Sequence, residues 1–220
     1  MSLWIKICAN TSLDDALLAA EAGADAVGFV FAPSPRRVSA GQVAAITPHL
    51  PGPVEKIGVF VSGNADQLSD TVRACGLTGV QLHADFGPDV TGHLRASFGP
   101  ALRILRVVHF GPHAAAEADS YASDPNIDAV LVDSRTATAM GGTGIPFDWD
   151  QARKTLFGRP ATATLIAAGG LSPDNVAEAI ARLRPWGVDV ASGVEASPGR
   201  KDPARVRAFI ERARGAASAL

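Results

Sequence analysis

The chain has 220 residues, 47% of them hydrophobic and 19% charged, with a formal net charge of −2 and a pI near 6.2. That length suits one large domain (residues 1–220) with a sizeable core, and no apolar run approaches the roughly 18 residues needed to span a bilayer. The slightly acidic balance supplies no field for a phosphate backbone, so membrane insertion, disorder and nucleic-acid binding are poor readings. Cys8 and Cys75 cannot form a disulfide framework, and no Cys-x-x-Cys or His/Cys spacing suggests a metal site. A first strand starting almost at once, without a basic and apolar leader, makes the cytoplasm the expected compartment.

The first strand expected is residues 4–8, Trp-Ile-Lys-Ile-Cys, followed by an amphipathic helix over residues 13–22. There Leu13, Ala16, Leu17 and Ala20 share one face, and Asp14, Asp15 and Glu21 another. Residues 26–31 form the second strand, and Ser39 caps the helix that follows. Apolar runs at 56–60, 79–82, 102–107, 129–132, 165–168 and 188–190 complete the set, most of them continuous, as strands buried on both faces must be. Ser172-Pro173 and Asp202-Pro203 mark the starts of the last two helices. Eight strand–helix cycles predict an α/β fold of the single (β/α)8, or TIM, barrel type. An open doubly wound sheet is disfavoured because Cys8-Ala9-Asn10-Thr11-Ser12, after the first strand, holds no glycine-rich dinucleotide loop.

In such a barrel the segments after the strands build the active face. Cys8 ends the first strand and Asp133 the sixth, which places a thiol and a carboxyl group on one rim as candidate base and acid. Taken alone, a lone strand-end cysteine is more often core, and Asp133 could simply cap its loop. Cys75, inside a helix, keeps the core reading. Gly169-Gly170 and Ser192-Gly193, after the seventh and eighth strands, form a candidate phosphate cradle of backbone N–H groups beside a helix start. Arg36 and Arg37 compete for a substrate carboxylate. His83 either positions a substrate group or satisfies a loop carbonyl, and Asp189 and Glu195 are carboxylates suited to orienting the eighth loop.

Several stretches then act together: Lys6-Ile7-Cys8, Ser34-Pro35-Arg36, Gly58-Val59-Phe60, Gln81-Leu82-His83, Val132-Asp133-Ser134, Gly141-Gly142-Thr143-Gly144, Gly169-Gly170-Leu171 and Ser192-Gly193-Val194-Glu195. In this order and spacing, over nearly the whole chain, they resemble the phosphoribosylanthranilate isomerases, (β/α)8 enzymes of tryptophan biosynthesis. The resemblance implies a cofactor-free Amadori rearrangement with Cys8 as general base and Asp133 as general acid. It also implies a substrate site made of Arg36, His83, Gly144, Gly169, Gly170, Asp189, Ser192 and Gly193. Arg36 would hold the anthranilate carboxylate, and the only partner implied is a small phosphorylated molecule, with monomer and homodimer both open. The histidine-pathway isomerase carries aspartate where this chain has Cys8, and the lysine and glutamate chemistry of indole-glycerol phosphate synthase finds no place here. Three residues depart from the family pattern: Ala9 and Ala84 stand where glycine is usual, and Ala191 where serine is. Ala9 and Ala84 motivate a rival reading, an isomerase for another aryl- or amino-substituted ribose phosphate; a non-catalytic barrel that binds a phosphate ligand or a partner is the rival from another class.

Overall fold

The computed structural model describes residues 3–83, 86–134, 148–159 and 164–220. Eight parallel strands close into a barrel: β1 (Trp4–Ile7), β2 (Ala26–Val30), β3 (Glu55–Phe60), β4 (Gly79–Leu82), β5 (Arg103–His109), β6 (Ala129–Asp133), β7 (Leu165–Ala167) and β8 (Gly187–Val190). Closure is made by β1 on β8, in register from Trp4 opposite Gly187 to Ile7 opposite Val190. The helices are α1 (Leu13–Glu21), α2 (Ala40–Ile46), α3 (Ala65–Cys75), α4 (Pro88–Phe98), α5 (Ala114–Ala122), α6 (Trp149–Ala152), α7 (Val176–Leu183) and α8 (Pro203–Ser218). A small antiparallel hairpin, β9 (Glu195–Ser197) with β10 (Arg200–Lys201), sits between β8 and α8.

Side chains alternate along the strands, and the alternation sorts the core into two shells. Trp4, Ala26, Ile57, Leu105, Leu131 and Ile166 pack together from six strands and fill the lumen. Their neighbours Ile5, Val27, Phe29, Val80, Ile104 and Val188 face outward, packing against Ala16, Val43, Leu68, Val72, Ile180 and Phe209 of the helices. This parity aims Lys6, two residues beyond Trp4, at the lumen; Gln81 on β4 and Asp189 on β8 meet it there.

Local signals account for most helix starts. Ser12 accepts from Asp15 N, Ser39 forms a reciprocal capping box with Gln42, and Asp202 accepts from the N–H groups of Ala204 and Arg205 behind Pro203. Helix α7 begins later than Ser172-Pro173 implies. Ser172 N donates to Asn175 Oδ1 at 2.8 Å, and Asn175 Nδ2 to Gly170 O at 2.9 Å, so residues 172–175 form a turn and the helix opens at Val176. Strand β5 also runs on to His109, two residues past the expected end. Among the described residues no helix is long and apolar enough to cross a membrane.

Candidate active site

Cys8 leaves the β1 ladder at the rim, where its N–H donates to Val190 O at 2.8 Å and its side chain is buried. The chain then doubles back. Asn10 N donates to Gly28 O at 2.9 Å and Asn10 Nδ2 to Ile7 O at 2.8 Å, which forces Ala9 into the left-handed region at φ 62°. An L-residue held there costs roughly 1–2 kcal/mol. Glycine would release that cost but lose a buried methyl group worth about 0.8 kcal/mol and gain unfolded-chain entropy worth roughly 0.5–1 kcal/mol. The terms nearly cancel, which explains how alanine stands at this turn. Ala9→Gly is therefore expected to unfold within about 0.5 kcal/mol of the parent, whereas Ala9→Val, β-branched at positive φ, is expected to lose at least about 2 kcal/mol in urea titration.

The thiol and Lys6 press on the same face of Gly28: a Cβ added there would stand 2.7 Å from Cys8 Sγ and 2.9 Å from Lys6 Cε. Lys6 is wholly buried, its ammonium donating to Asp189 Oδ1 at 2.7 Å and Gln81 Oε1 at 2.8 Å. Burial works against that charge, but Asp189 and then Cys8 outweigh it and Lys6 binds its proton more tightly than usual. For Cys8 the balance goes the other way. Burial pushes the thiol up, Lys6 and Lys201 pull it down, Asp189 pushes it up again, and the net direction is upward. A rim cysteine near cations invites the expectation of a ready thiolate; burial outweighs those cations and holds the thiol's proton affinity above its usual value.

A second ionic cluster holds the backbone of that turn. Lys201, on β10 and also buried, donates to Cys8 O at 2.6 Å, Ala191 O at 3.3 Å and Glu195 Oε1 at 3.4 Å. Glu195 in turn receives Arg36 Nε at 2.9 and 3.0 Å and Nη2 at 2.7 Å. This is the role of loop-orienting acceptor expected of Glu195. It takes the side edge of the guanidinium, and since arginine has five N–H donors, the end-on edge keeps a fork for another carboxylate. Arg37, by contrast, is exposed.

Across the rim, Asp133 ends β6 and is buried. Gly169, at φ +80°, presses on it so closely that a Cβ would overlap Ser134 and stand 2.5 Å from Asp133 Oδ1. The loop after β7 therefore needs glycine both for its backbone angle and for room beside the carboxyl group. Gly193, in the 3-10 turn Ser192–Val194, lies against the backbone of Leu171, which brings the seventh and eighth loops together. Gly170, Ser172, Asn175, Ser192 and Gly193 line one open groove at the start of α7 together with Arg205, Arg212 and Asp174, a glycine-rich surface with two arginines where a phosphate could be held.

His83 follows β4, its N–H bonded to Phe60 O at 2.9 Å and its Nε2 lying 2.8 Å from Gln81 Nε2. Because Lys6 donates to Gln81 Oε1, the amide nitrogen faces the imidazole and must donate, leaving the His83 proton on Nδ1. His109 stands 6.4 Å from His83 ring to ring, and the sequence pattern, which ends β5 at Val107, hides it from the list of rim residues. Gly144 and Ala84 lie outside the described residues. Among the described residues no group of three or more His, Cys, Asp or Glu could hold a metal ion, and both cysteines are free.

Residues 5–212 match the sequence profile of N-(5'phosphoribosyl)anthranilate (PRA) isomerase. The N-(5'-phosphoribosyl)anthranilate isomerase of Geobacter sulfurreducens is 43% identical over 212 residues, covering 96% of this chain and 98% of its own. That of Myxococcus xanthus is 43% identical over 217 residues, 97% of each. Among solved structures, phosphoribosyl anthranilate isomerase from Thermotoga maritima superposes with a TM-score of 0.82 at 35% identity, covering 97% of this chain and 99% of its own. A phosphoribosyl anthranilate isomerase in complex with reduced 1-(o-carboxyphenylamino)-1-deoxyribulose 5-phosphate gives 0.80 at 33% identity, with the same coverage.

Proposed function

Because this chain belongs to the N-(5'-phosphoribosyl)anthranilate isomerase family, we propose that Cys8 and Asp133 are the base and the acid of its rearrangement, and that Arg36 and the loops after β7 and β8 hold the substrate's two ends. The reaction converts N-(5-phosphoribosyl)anthranilate into 1-(2-carboxyphenylamino)-1-deoxyribulose 5-phosphate, a step of tryptophan biosynthesis. The observation that supports the residue assignment best is the burial of a thiol and a carboxyl group at strand ends on one rim, between an arginine with an open fork and a glycine-lined groove.

The chemistry then follows from what each group can give or take. Asp133, protonated, donates to the furanose ring oxygen; the C1–O bond breaks, and the lone pair on the aryl nitrogen forms an iminium at C1. Cys8, as thiolate, removes the proton from C2, and the electrons of that bond form the enolamine. Protonation at C1 and loss of the hydroxyl proton at C2 give the ketone, so no atom is gained or lost and no cofactor is needed. His83, on the same rim after β4 with its ring held by Gln81, is on this reading a binding residue for the substrate. Asp189, named as a binding residue by the resemblance, lies beneath the thiol in contact with Lys6. Two free thiols support a reducing, cytoplasmic setting.

Following the loss of phosphoribosylanthranilate fluorescence, with substrate generated in situ from anthranilate and phosphoribosyl pyrophosphate, tests the reading. Rapid loss at micromolar substrate is expected. A protein that binds the reduced product analogue but leaves the signal at its spontaneous rate would replace this reading with the phosphate-binding barrel, and a strong preference for a nonaromatic ribosyl substrate would replace it with the retuned isomerase.

A further inference from the structure

The rearrangement as written makes no use of the charge buried under the base. Lys6 sits in the lumen with no access to solvent, where an unpaired ammonium is strongly disfavoured. Two of its three N–H donors go to Asp189 and Gln81. The third is left for the Cys8 thiol, since the sulfur and Lys6 Cε pack against the same bare face of Gly28. A lysine here is not explained by packing: a methionine would fill the volume without a charge to satisfy.

We propose that Lys6 and Asp189 form a positioning pair for the base, Lys6 supplying the countercharge for the Cys8 thiolate and Asp189 holding Lys6 while limiting the field that reaches the sulfur. The assignment rests on the reading of Cys8 as the base. The charged groups facing the thiol come from every element around it: Lys6 on β1, Asp189 on β8, Lys201 on β10 and Arg36 after β2, with Glu195 on β9 behind the last two. Nearest the thiol, the cations Lys6, Lys201 and Arg36 outnumber the carboxylates Asp189 and Glu195, Asp15 of α1 standing farther back on Lys201 N at 3.3 Å; ionising the thiol puts the counter-charge on the sulfur itself. The cluster is thus arranged for the charge state in which C2 is attacked, and its polarity assigns opposite effects to the two partners. Removing Lys6 takes a cation from the sulfur and makes the thiolate harder to form. Removing Asp189 leaves Lys6 uncompensated and makes it easier.

The test compares the parent with Lys6→Met and Asp189→Asn, each checked for native circular dichroism. Iodoacetamide alkylation of Cys8 is followed against pH on the Cys8-containing peptide by mass spectrometry, alongside the acid limb of the kcat profile. The expected result is a shift of the alkylation profile to higher pH in Lys6→Met and to lower pH in Asp189→Asn, each by roughly one pH unit or more, tenfold in thiolate at a given pH. Unshifted profiles, or shifts in the same direction, would overturn the pair and leave Lys6 as packing. If Lys6→Met fails to fold, Asp189→Asn decides, read with the alkylation rate at its high-pH plateau: loosened packing would also make the buried thiol more acidic but would raise that plateau, whereas loss of the Asp189 charge shifts the profile with the plateau unchanged, and a shift that comes with a raised plateau overturns the pair. Should alkylation shift as expected while the kcat limb stays in place, the charge pair stands and the assignment of Cys8 as base falls.

Discussion

Asp133→Asn is expected to lower kcat by roughly 10²–10⁴-fold with KM nearly unchanged, and Cys8→Ser to do the same. Both replacements keep shape. A side-chain amide fills the space against Gly169 that the Asp133 carboxyl group fills, and a serine hydroxyl is smaller than the thiol beside Gly28, so neither disturbs the loops assigned to phosphate or the Arg36–Glu195 pair. On the proposed assignment, what each removes is a proton transfer: an amide does not protonate a ring oxygen, and a serine hydroxyl is far too weak an acid to supply its anion at neutral pH. Because ring opening by the acid must precede removal of the C2 proton, the two losses act on one sequence, and the double variant is expected to be little worse than the poorer single one. Steady-state fluorescence gives kcat and KM, and calorimetric binding of the reduced product analogue checks that the site is intact. A variant that retains a tenth or more of the parent's kcat would move the acid or the base to another residue.

The architecture was legible because parallel strands buried on both faces must be written as apolar runs, and all eight runs became strands with no end shifted by more than two residues. The rim was legible for the same reason: once the strands are placed, Cys8 and Asp133 fall at their ends without any knowledge of distance. What lay hidden was the polar scaffold. Lys6 meets Asp189 across 183 positions of sequence and Arg36 meets Glu195 across 159, pairings that only barrel closure creates. A signal did exist: Lys6, Gln81 and Asp189 each interrupt an apolar run at a position whose parity points inward, and three polar interruptions facing one lumen must pair with one another. The late start of α7 was not readable, because Ser172 and Asn175 are equally good caps and the choice between them is made by the bond from Asn175 to Gly170.

Lys201→Met is expected to destabilise the protein by about 3 kcal/mol, roughly a 10 °C fall in Tm for a chain of this size, and to lower kcat as well. Opposing effects set that magnitude. Burial holds the Lys201 ammonium below its usual proton affinity, with Glu195 only partly offsetting it, so taking the cation out of the interior recovers some desolvation energy. Against that, Cys8 O loses a buried donor, the part-buried Ala191 O is left with Val194 N at 3.5 Å, and among the described residues the Glu195 carboxylate is left with Arg36 and a long contact with Gly199 N. The stranded Cys8 carbonyl costs roughly 1–3 kcal/mol, and the buried Glu195 charge that loses a cation adds to it, together more than the recovered desolvation. The kinetic effect has a separate origin. The bond to Cys8 O, at 2.6 Å, pins the peptide that carries Ala9 through its left-handed turn, and without it the strain at φ 62° has a way to relax by moving the sulfur off its line to C2. Chemical denaturation measures the first effect and kcat at saturating substrate the second. A Lys201→Met protein as stable as the parent would mean that water replaces the ammonium at both carbonyls, and one that is destabilised but catalytically unimpaired would mean that β1, rather than the hairpin, fixes where Cys8 points.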